Sequence, residues 1–362
     1  MRRLVVGGAG HAELQEHPAQ AAIAVVLDLG FRTWRRLLLI VPLVLAPSVQ
    51  AQTAPSAGKS PKLIVGMPPG GGVDAYARLV QRHLGRFFPG APSIVVQNMP
   101  GAGSLRAVMA VASAPDDGTT IGTFSSSLIT ESIAQPERVK VDFRSFAFIG
   151  NVSEDIRVCY VRAGLGVRNW SDLLAREQVV FGATAPGTSG NIDTAMLRNL
   201  FGVKLKQVQG YAGSADKRLA LEKGEIDGDC GGWASIPQDW LRGNKINVVV
   251  RLSPTLLPGI AANVPFGGDL LREERDRGIY DFLTAPERLG RLFMVSAKSP
   301  ADRISAFRTA FDLMVIDRAF LAEAERSGLT VTPMPGAEVD RRIAELYATP
   351  PELVARAGAI GE

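Results

Sequence analysis

The stretch Met67-Pro68-Pro69-Gly70-Gly71-Gly72-Val73-Asp74 decides the reading of this chain. Before it, residues 62–67 form a short apolar run of strand character, and after it the apolar spacing over 75–87 predicts a helix. A strand, a glycine turn and a helix in that order put the turn at the strand's carboxyl end, where open α/β sheets take ligands. Three consecutive glycines remove every Cβ, so backbone can come close to a bound group. The N–H groups and the positive end of the following helix suit an anion. Asp74 either caps that helix or accepts a ligand ammonium or hydroxyl. Valine at Gly71 or Gly72 is expected to abolish binding, because a β-branched residue does not take positive φ and crowds the anion.

Outward from the loop, the same alternation repeats. Strands are expected over 93–97 and 120–124, with a helix over 104–112 between them. This β-α-β-α-β order argues a parallel sheet covered by helices. Strands at 146–152 and 158–161 follow. A second alternation begins at Trp170: helix 170–175, strand 179–183, helix 191–200, strand 206–209, and helix 215–223 closed by Gly224. Further strands are expected at 228–230 and 247–252. Ser299-Pro300 reads as a cap followed by proline at the first helical position. Ile304, Phe307, Phe311, Met314 and Val315 then give an apolar face that docks most simply on the first sheet. Two α/β units with a cleft between them result, and 362 residues suit two domains.

Three more loops share the chemistry of the first. Phe124-Ser125-Ser126-Ser127, Thr184-Ala185-Pro186-Gly187-Thr188-Ser189-Gly190 and Tyr211-Ala212-Gly213-Ser214-Ala215 each follow a strand. Each supplies small residues, hydroxyls and free N–H groups. Together they describe a carboxylate site made of backbone dipoles and hydroxyls. Serines without a base are poor nucleophiles, so binding is favoured over turnover.

The inventory excludes other classes. The 40 basic and 36 acidic residues give a net charge of +4, and they are interspersed, so no phosphate-binding stripe appears and no nucleic-acid partner is expected. Arg32, Arg35 and Arg36, the apolar run 37–46 and Val49-Gln50-Ala51 have the layout of a signal peptide cut before Gln52, with residues 52–61 as a spacer. Residues 1–31 fit no such signal and read as an over-extended start. Removing 1–51 takes five basic and three acidic side chains, which leaves a net charge of +2, and His83 becomes the sole histidine. A Ser-His-Asp machine or a paired-histidine metal site is therefore not expected, and no cofactor is implied. Ala57-Gly58-Lys59-Ser60 ends like a phosphate loop but lacks its upstream glycine and preceding strand. Cys159 and Cys230 stand 71 positions apart in apolar stretches. They read as two buried thiols, and an exported compartment also permits a bond between them. Neither follows the signal sequence, so no acyl anchor is expected, and no later run is long enough to span a bilayer.

The ordered motifs resemble a known family. Pro68-Pro69-Gly70-Gly71-Gly72 with Asp74, Gln97-Asn98-Met99-Pro100-Gly101-Ala102-Gly103, Ala114-Pro115-Asp116-Asp117-Gly118-Thr119-Thr120 and Gly210-Tyr211-Ala212-Gly213-Ser214-Ala215 resemble the motifs of Bug-type receptors. These are the periplasmic solute-binding proteins of tripartite tricarboxylate transporters. The resemblance implies the type II periplasmic-binding-protein fold, two α/β lobes that close on a small organic anion. It implies lobe I over 62–155, lobe II over 156–287, and a return to lobe I with the C-terminal helices over 288–362. It implies ligand contacts at 70–74, 125–127 and 184–189. The candidate site is then Pro69, Gly70, Gly71, Gly72 and Asp74; Ser125, Ser126 and Ser127; Thr184, Ala185, Gly187, Thr188 and Ser189; and Gly213 and Ser214. Two departures stand out: Met99 where the family has arginine, and Asp229-Cys230-Gly231-Gly232-Trp233 where it often has Asp-Asn. Trp233 there is expected to give the cleft an aromatic wall. The implied function is a monomeric periplasmic receptor that passes a small carboxylate to membrane permease subunits. The alternatives are a ligand-loaded partner of a membrane sensor kinase and, less favoured, an enzyme.

Overall fold

The structure, a computed structural model, describes residues 60–361. The expected signal peptide, the expected upstream extension and most of the expected spacer lie outside the described residues.

In chain order the first lobe begins with β1 (Lys62–Val65), α1 (Gly72–Leu84), β2 (Val95–Asn98), α2 (Leu105–Ala112), β3 (Thr120–Thr123), α3 (Leu128–Ala134) and β4 (Phe146–Asn151). The second lobe follows with β5 (Arg157–Arg162), α4 (Trp170–Leu174), β6 (Val179–Gly182), α5 (Ser189–Asn199), β7 (Leu205–Val208), α6 (Ser214–Glu222), β8 (Gly228–Gly232), α7 (Gln238–Arg242), β9 (Ile246–Arg251), α8 (Gly267–Leu270) and α9 (Glu274–Leu289). The chain then runs through β10 (Leu292–Ser296), α10 (Ala301–Met314), α11 (Arg318–Arg326), β11 (Met334–Pro335), α12 (Gly336–Tyr347) and α13 (Pro351–Gly361).

The strands make a six-stranded sheet, β11-β4-β10-β3-β1-β2, and a five-stranded sheet, β7-β6-β8-β5-β9. β1 pairs parallel with β2 and β3, and β6 pairs parallel with β7 and β8. Alternation along β1 splits its residues between two cores. Leu63 and Val65 pack towards α1, α10 and α11, while Ile64 packs with Val108, Phe124 and Phe148. The second sheet is also covered on both faces: Cys159 and Val161 point to one core, Val158 and Tyr160 to the other.

The chain passes between the sheets through residues 152–156 and 287–291. These crossings are tied by backbone bonds: Val152 N–H to Arg291 O (3.1 Å), Arg291 N–H to Ser153 O (2.9 Å) and Asp155 N–H to Glu287 O (2.8 Å).

Three expectations need correction. Pro300 is itself the residue flanking α10 (φ −53°, ψ 136°), and the Ser299 hydroxyl does not cap the helix. The cap-and-proline pattern is displaced by one residue because Pro300 is extended rather than helical. The C-terminal segment does not all return to the first lobe. α13 packs on α5 and α9 of the second lobe, with Ala357 buried in that lobe's core, and touches α3 of the first. Its apolar positions are too few to reveal which sheet they serve. The cysteines are not free thiols: Cys159 and Cys230 are directly opposed on antiparallel β5 and β8, with Cα atoms 4.1 Å apart, and are joined as a disulfide. Strand register, invisible at a sequence separation of 71, brings them together.

Candidate functional site

A cavity of about 200 Å³ lies between the two lobes. Its wall starts from the glycine loop. Gly70 takes φ +84°, and its N–H donates to Asp74 Oδ2 (3.0 Å). The same carboxylate accepts from Arg78 Nε (2.9 Å) and from Asn98 Nδ2 (2.8 Å), and Asn98 also donates to Met67 O (2.9 Å). Burial raises the Asp74 pKa, but these bonds from Arg78, Asn98 and Gly70 outweigh it and hold the carboxyl below its ordinary value. The first and second motifs are thus one device: Asn98 braces the loop that Asp74 closes. Gly66 completes it, since a Cβ there would stand 2.7 Å from the Ser104 Cβ. Ser104 Oγ in turn donates to Gly66 O (3.1 Å) and accepts from Ser125 N–H (3.1 Å).

The glycines do not act through conformation as expected. Of the three, only Gly70 has positive φ. Gly71 is extended (φ −94°, ψ 172°) and Gly72 opens α1. The restriction at Gly72 is steric: a Cβ would lie 2.9 Å from both Arg291 Nη2 and Ser235 Oγ.

Three helices start at the cavity: α1 at Gly71 and Gly72, α5 at Ser189 and Gly190, and α6 at Ser214, all among the lining residues. First-turn N–H groups have no acceptor within their own helix, so three positive helix ends converge on one space. Of the candidate residues, Pro69, Gly71, Gly72, Ser125, Thr184 and Thr188 line the cavity, as do Ser189, Gly213 and Ser214. Gly70, Asp74, Ser126, Ser127, Ala185 and Gly187 stand outside the lining. Asp74 is spent on the loop brace. Ser127 Oγ donates across the cleft to Gly187 O (2.9 Å), which makes that pair a latch between lobes. Thr188 Oγ1 is engaged by Ala185 O (2.7 Å) and shapes its own loop. Trp233 is no aromatic wall. It is 8% exposed and packed with Ile156 and Ile236 in the second lobe's core, against Gly259.

The lining also holds five charged residues that the loop motifs do not reveal: Asp155, Arg157, Asp216, Lys217 and Arg291. Arg157 Nη1 meets Asp155 (3.2 Å), its Nε meets Asp193 (2.5 Å) and Glu287 (3.1 Å), and Nη2 donates to Cys230 O (3.4 Å). Burial opposes the Arg157 charge, but Asp193, Asp155 and Glu287 outweigh it and push its pKa above the ordinary value. Burial lifts Asp193 and, much further, Glu287, where the neighbouring Asp193 adds to the effect. Asp193 Oδ1 and Glu287 Oε2 are both buried without a donor. A proton held between the two carboxyls removes their repulsion. Lys217 pairs with Asp229 and donates to Cys230 O (3.2 Å). Asp229 also accepts from Tyr160 Oη (2.9 Å). Arg291 pairs with Asp155. The sequence signal for two of these cations is an arginine heading an otherwise buried apolar strand segment, Arg157 before Val158 and Arg291 before Leu292. Lys217 sits in a polar helix and carries no such signal.

His83 lies elsewhere, with Nε2 2.7 Å from Glu323 and its ring edge on Phe320. Among the described residues no group of three or more His, Cys, Asp or Glu is placed to hold a metal ion, and no helix is long and apolar enough to cross a membrane.

No family model matches the chain. A UPF0065 protein of Pseudomonas sp. strain P51 is 31% identical over 169 residues, covering 45% of this chain and 49% of that one. A UPF0065 protein of Bordetella pertussis is 27% identical over 202 residues, 54% of this chain and 61% of that one. The match thus spans about half the length of these curated relatives. Among solved structures, Rhodopseudomonas palustris MatC with bound malate superposes with a TM-score of 0.67 at 17% identity, covering 85% of this chain and all of that one. The R. palustris protein Rpa4515 with adipate gives 0.68 at 17% identity over 84% of this chain and 98% of that one, and the periplasmic binding protein BugD gives 0.67 at 17% over 84% and 99%. By sequence the chain is similar to UPF0065 proteins, and its two-lobed fold resembles those of the periplasmic binding protein BugD, of MatC and of Rpa4515.

Proposed function

We propose that the chain is a periplasmic receptor that holds a small carboxylate anion between its lobes and delivers it to the permease subunits of a tripartite tricarboxylate-type transporter. The observation that carries this is the convergence of the α1, α5 and α6 N-termini on one cavity built by both lobes. Helix N-termini attract anions through unpaired N–H groups and the aligned peptide dipoles. A cavity of about 200 Å³ suits a short organic acid. The bound adipate and malate of the fold neighbours support the ligand class. The lining serines Ser125, Ser189, Ser214 and Ser235 have no histidine among the lining residues, which favours binding over turnover.

Mass spectrometry of the solute released from the purified, denatured protein tests the reading, followed by thermal-shift titration with mono- and dicarboxylates. A true ligand at a hundred times its Kd stabilises the native state by about 2.7 kcal/mol, and it is recovered unchanged. No shift with any carboxylate overturns the carboxylate reading, and conversion of the ligand overturns the receptor reading. Uptake into vesicles that carry the permease, dependent on this chain, tests delivery.

A further inference from the structure

Arg291 stands at the crossing where the chain re-enters the first sheet, and its backbone is fixed independently of its side chain. Its N–H is shared by Ser153 O and Asn151 Oδ1, both at 2.9 Å, and its carbonyl accepts from Val152 (3.1 Å). The residue is 7% exposed and lines the cavity. One guanidinium face lies over the Tyr76 ring, 5.6 Å from the centroid.

The three cavity cations differ in how completely they are bonded. Arg157 has three carboxylates and a carbonyl around it, and Lys217 has one carboxylate and a carbonyl. Arg291 has five side-chain N–H donors but one carboxylate, Asp155, which it shares with Arg157. Its Nε–H is sealed from solvent with no acceptor. Its Nη2 lies 2.9 Å from the position a Cβ would take on Gly72, so the guanidinium and the N-terminus of α1 address the same spot. At the opposite wall, Lys217 Nζ lies 3.1 Å from the corresponding position on Gly190, at the start of α5. The cavity therefore has a basic side chain at each end, one on each lobe, with the α6 residue Asp216 also in the lining at the second-lobe end, and Arg291 at the first-lobe end keeps a donor to spare.

We propose that Arg291 is a specificity-determining ligand contact: its guanidinium donates to one carboxylate of a dicarboxylate solute at the first-lobe end, while the second carboxylate lies at the starts of α5 and α6. This rests on the receptor reading above and names its substrate class. Because Arg291 is on a crossing between the lobes, the contact also ties ligand occupancy to the segment about which the lobes move.

The test is calorimetry of the parent chain with malonate, succinate, malate and adipate, and with the monoamide of each diacid that binds. R291Q, R291K and the double variant R291Q/D155N are compared, the last so that the Asp155 carboxylate is not left with Arg157 as its one remaining cation. The parent should prefer the diacid to its monoamide by about tenfold or more, as a charge-assisted bond requires. In R291Q/D155N the diacid should weaken by about tenfold and the monoamide by less than about threefold, so the preference collapses, with R291K intermediate. The parent's Arg291 Nε–H resonance should shift on saturation with the diacid. Equal weakening of diacid and monoamide, or an unmoved Nε–H resonance, overturns the contact while leaving the receptor reading intact. If the variants do not fold, the resonance decides alone. A parent chain that binds none of the four diacids overturns this substrate class, and the receptor reading too if monocarboxylates also fail.

Discussion

At the scale of single residues, the glycine loop and the buried acids make opposite pH predictions. Asp74 has a folded pKa below its ordinary 3.8, so its contribution is present above that value and is lost as pH falls through the folded one. D74N should therefore flatten the acid limb of a pH–stability curve below about pH 4, as measured by urea midpoints, and an unchanged limb counts against the brace. Glu287 has a folded pKa well above 4.5, so it binds more protons folded than unfolded. Its contribution is present below 4.5 and is lost as pH rises towards the folded value. E287Q keeps a permanently neutral partner for Asp193. It should match or exceed the parent in stability at pH 7 to 8 and remove the decline on the alkaline side. Loss of stability at pH 7 in E287Q would show that Glu287 is needed as a carboxylate. For Gly72, valine forces a Cβ into Arg291 and Ser235, so binding should vanish with circular dichroism unchanged; valine at Gly71, where the nearest atom is Ser214 Oγ at 3.9 Å, should do less.

At the scale of elements, the disulfide is the staple of the second sheet. β5 is its central antiparallel strand, paired with β8 on one side and β9 on the other, and the bond locks β5 to β8 behind the cavity wall to which Cys230 belongs. The unfolded chain loses a loop of about seventy residues' freedom, which the chain-entropy account values at about 4 kcal/mol. C159S/C230S should lower unfolding stability by about 2–4 kcal/mol, and thiol titration of the denatured, unreduced parent should find no free thiol. Two titratable thiols per chain would contradict the bond. The sealed side chains of Cys159 and Cys230 make the reduced pair slow to appear without unfolding.

At the scale of the whole molecule, the lobes meet through specific bonds rather than through the ligand alone. Ser127 Oγ reaches Gly187 O, Gly72 N–H reaches Ser235 Oγ (3.2 Å), and Arg218 Nη2 reaches Gly70 O (3.3 Å). Each such bond is worth about 0.5–1.5 kcal/mol net, enough together to shift a two-state opening equilibrium by about tenfold or more. S127A/S235A should bind the same ligand about tenfold more weakly, with a larger radius of gyration by small-angle scattering at subsaturating ligand. Parental affinity together with a parental scattering curve would mean that the latches do not contribute to closure.

What the sequence determined by itself is local: strand, glycine turn and helix, repeated at Gly70, Ser125, Thr184 and Gly213, with each loop at a strand's carboxyl end. Short-range spacing and small residues suffice for that, because the period of burial and the conformational needs of a turn are properties of neighbours in the chain. The two sheets and the cleft followed from the same pattern. Tertiary structure alone decided everything that depends on partners far apart in sequence. Asn98 reaches Asp74 across 24 residues, Cys159 meets Cys230 across 71, and Arg291 reaches Asp155 across 136. It gave Asp74 and Ser127 bonds of brace and latch, placed Trp233 in the core, and set five charged residues in the lining of a cavity that the loops had described by backbone dipoles and hydroxyls. The physical reason is that a buried charge is tolerated only where counter-charges meet it in space, and no spacing rule along the chain records which residues will meet.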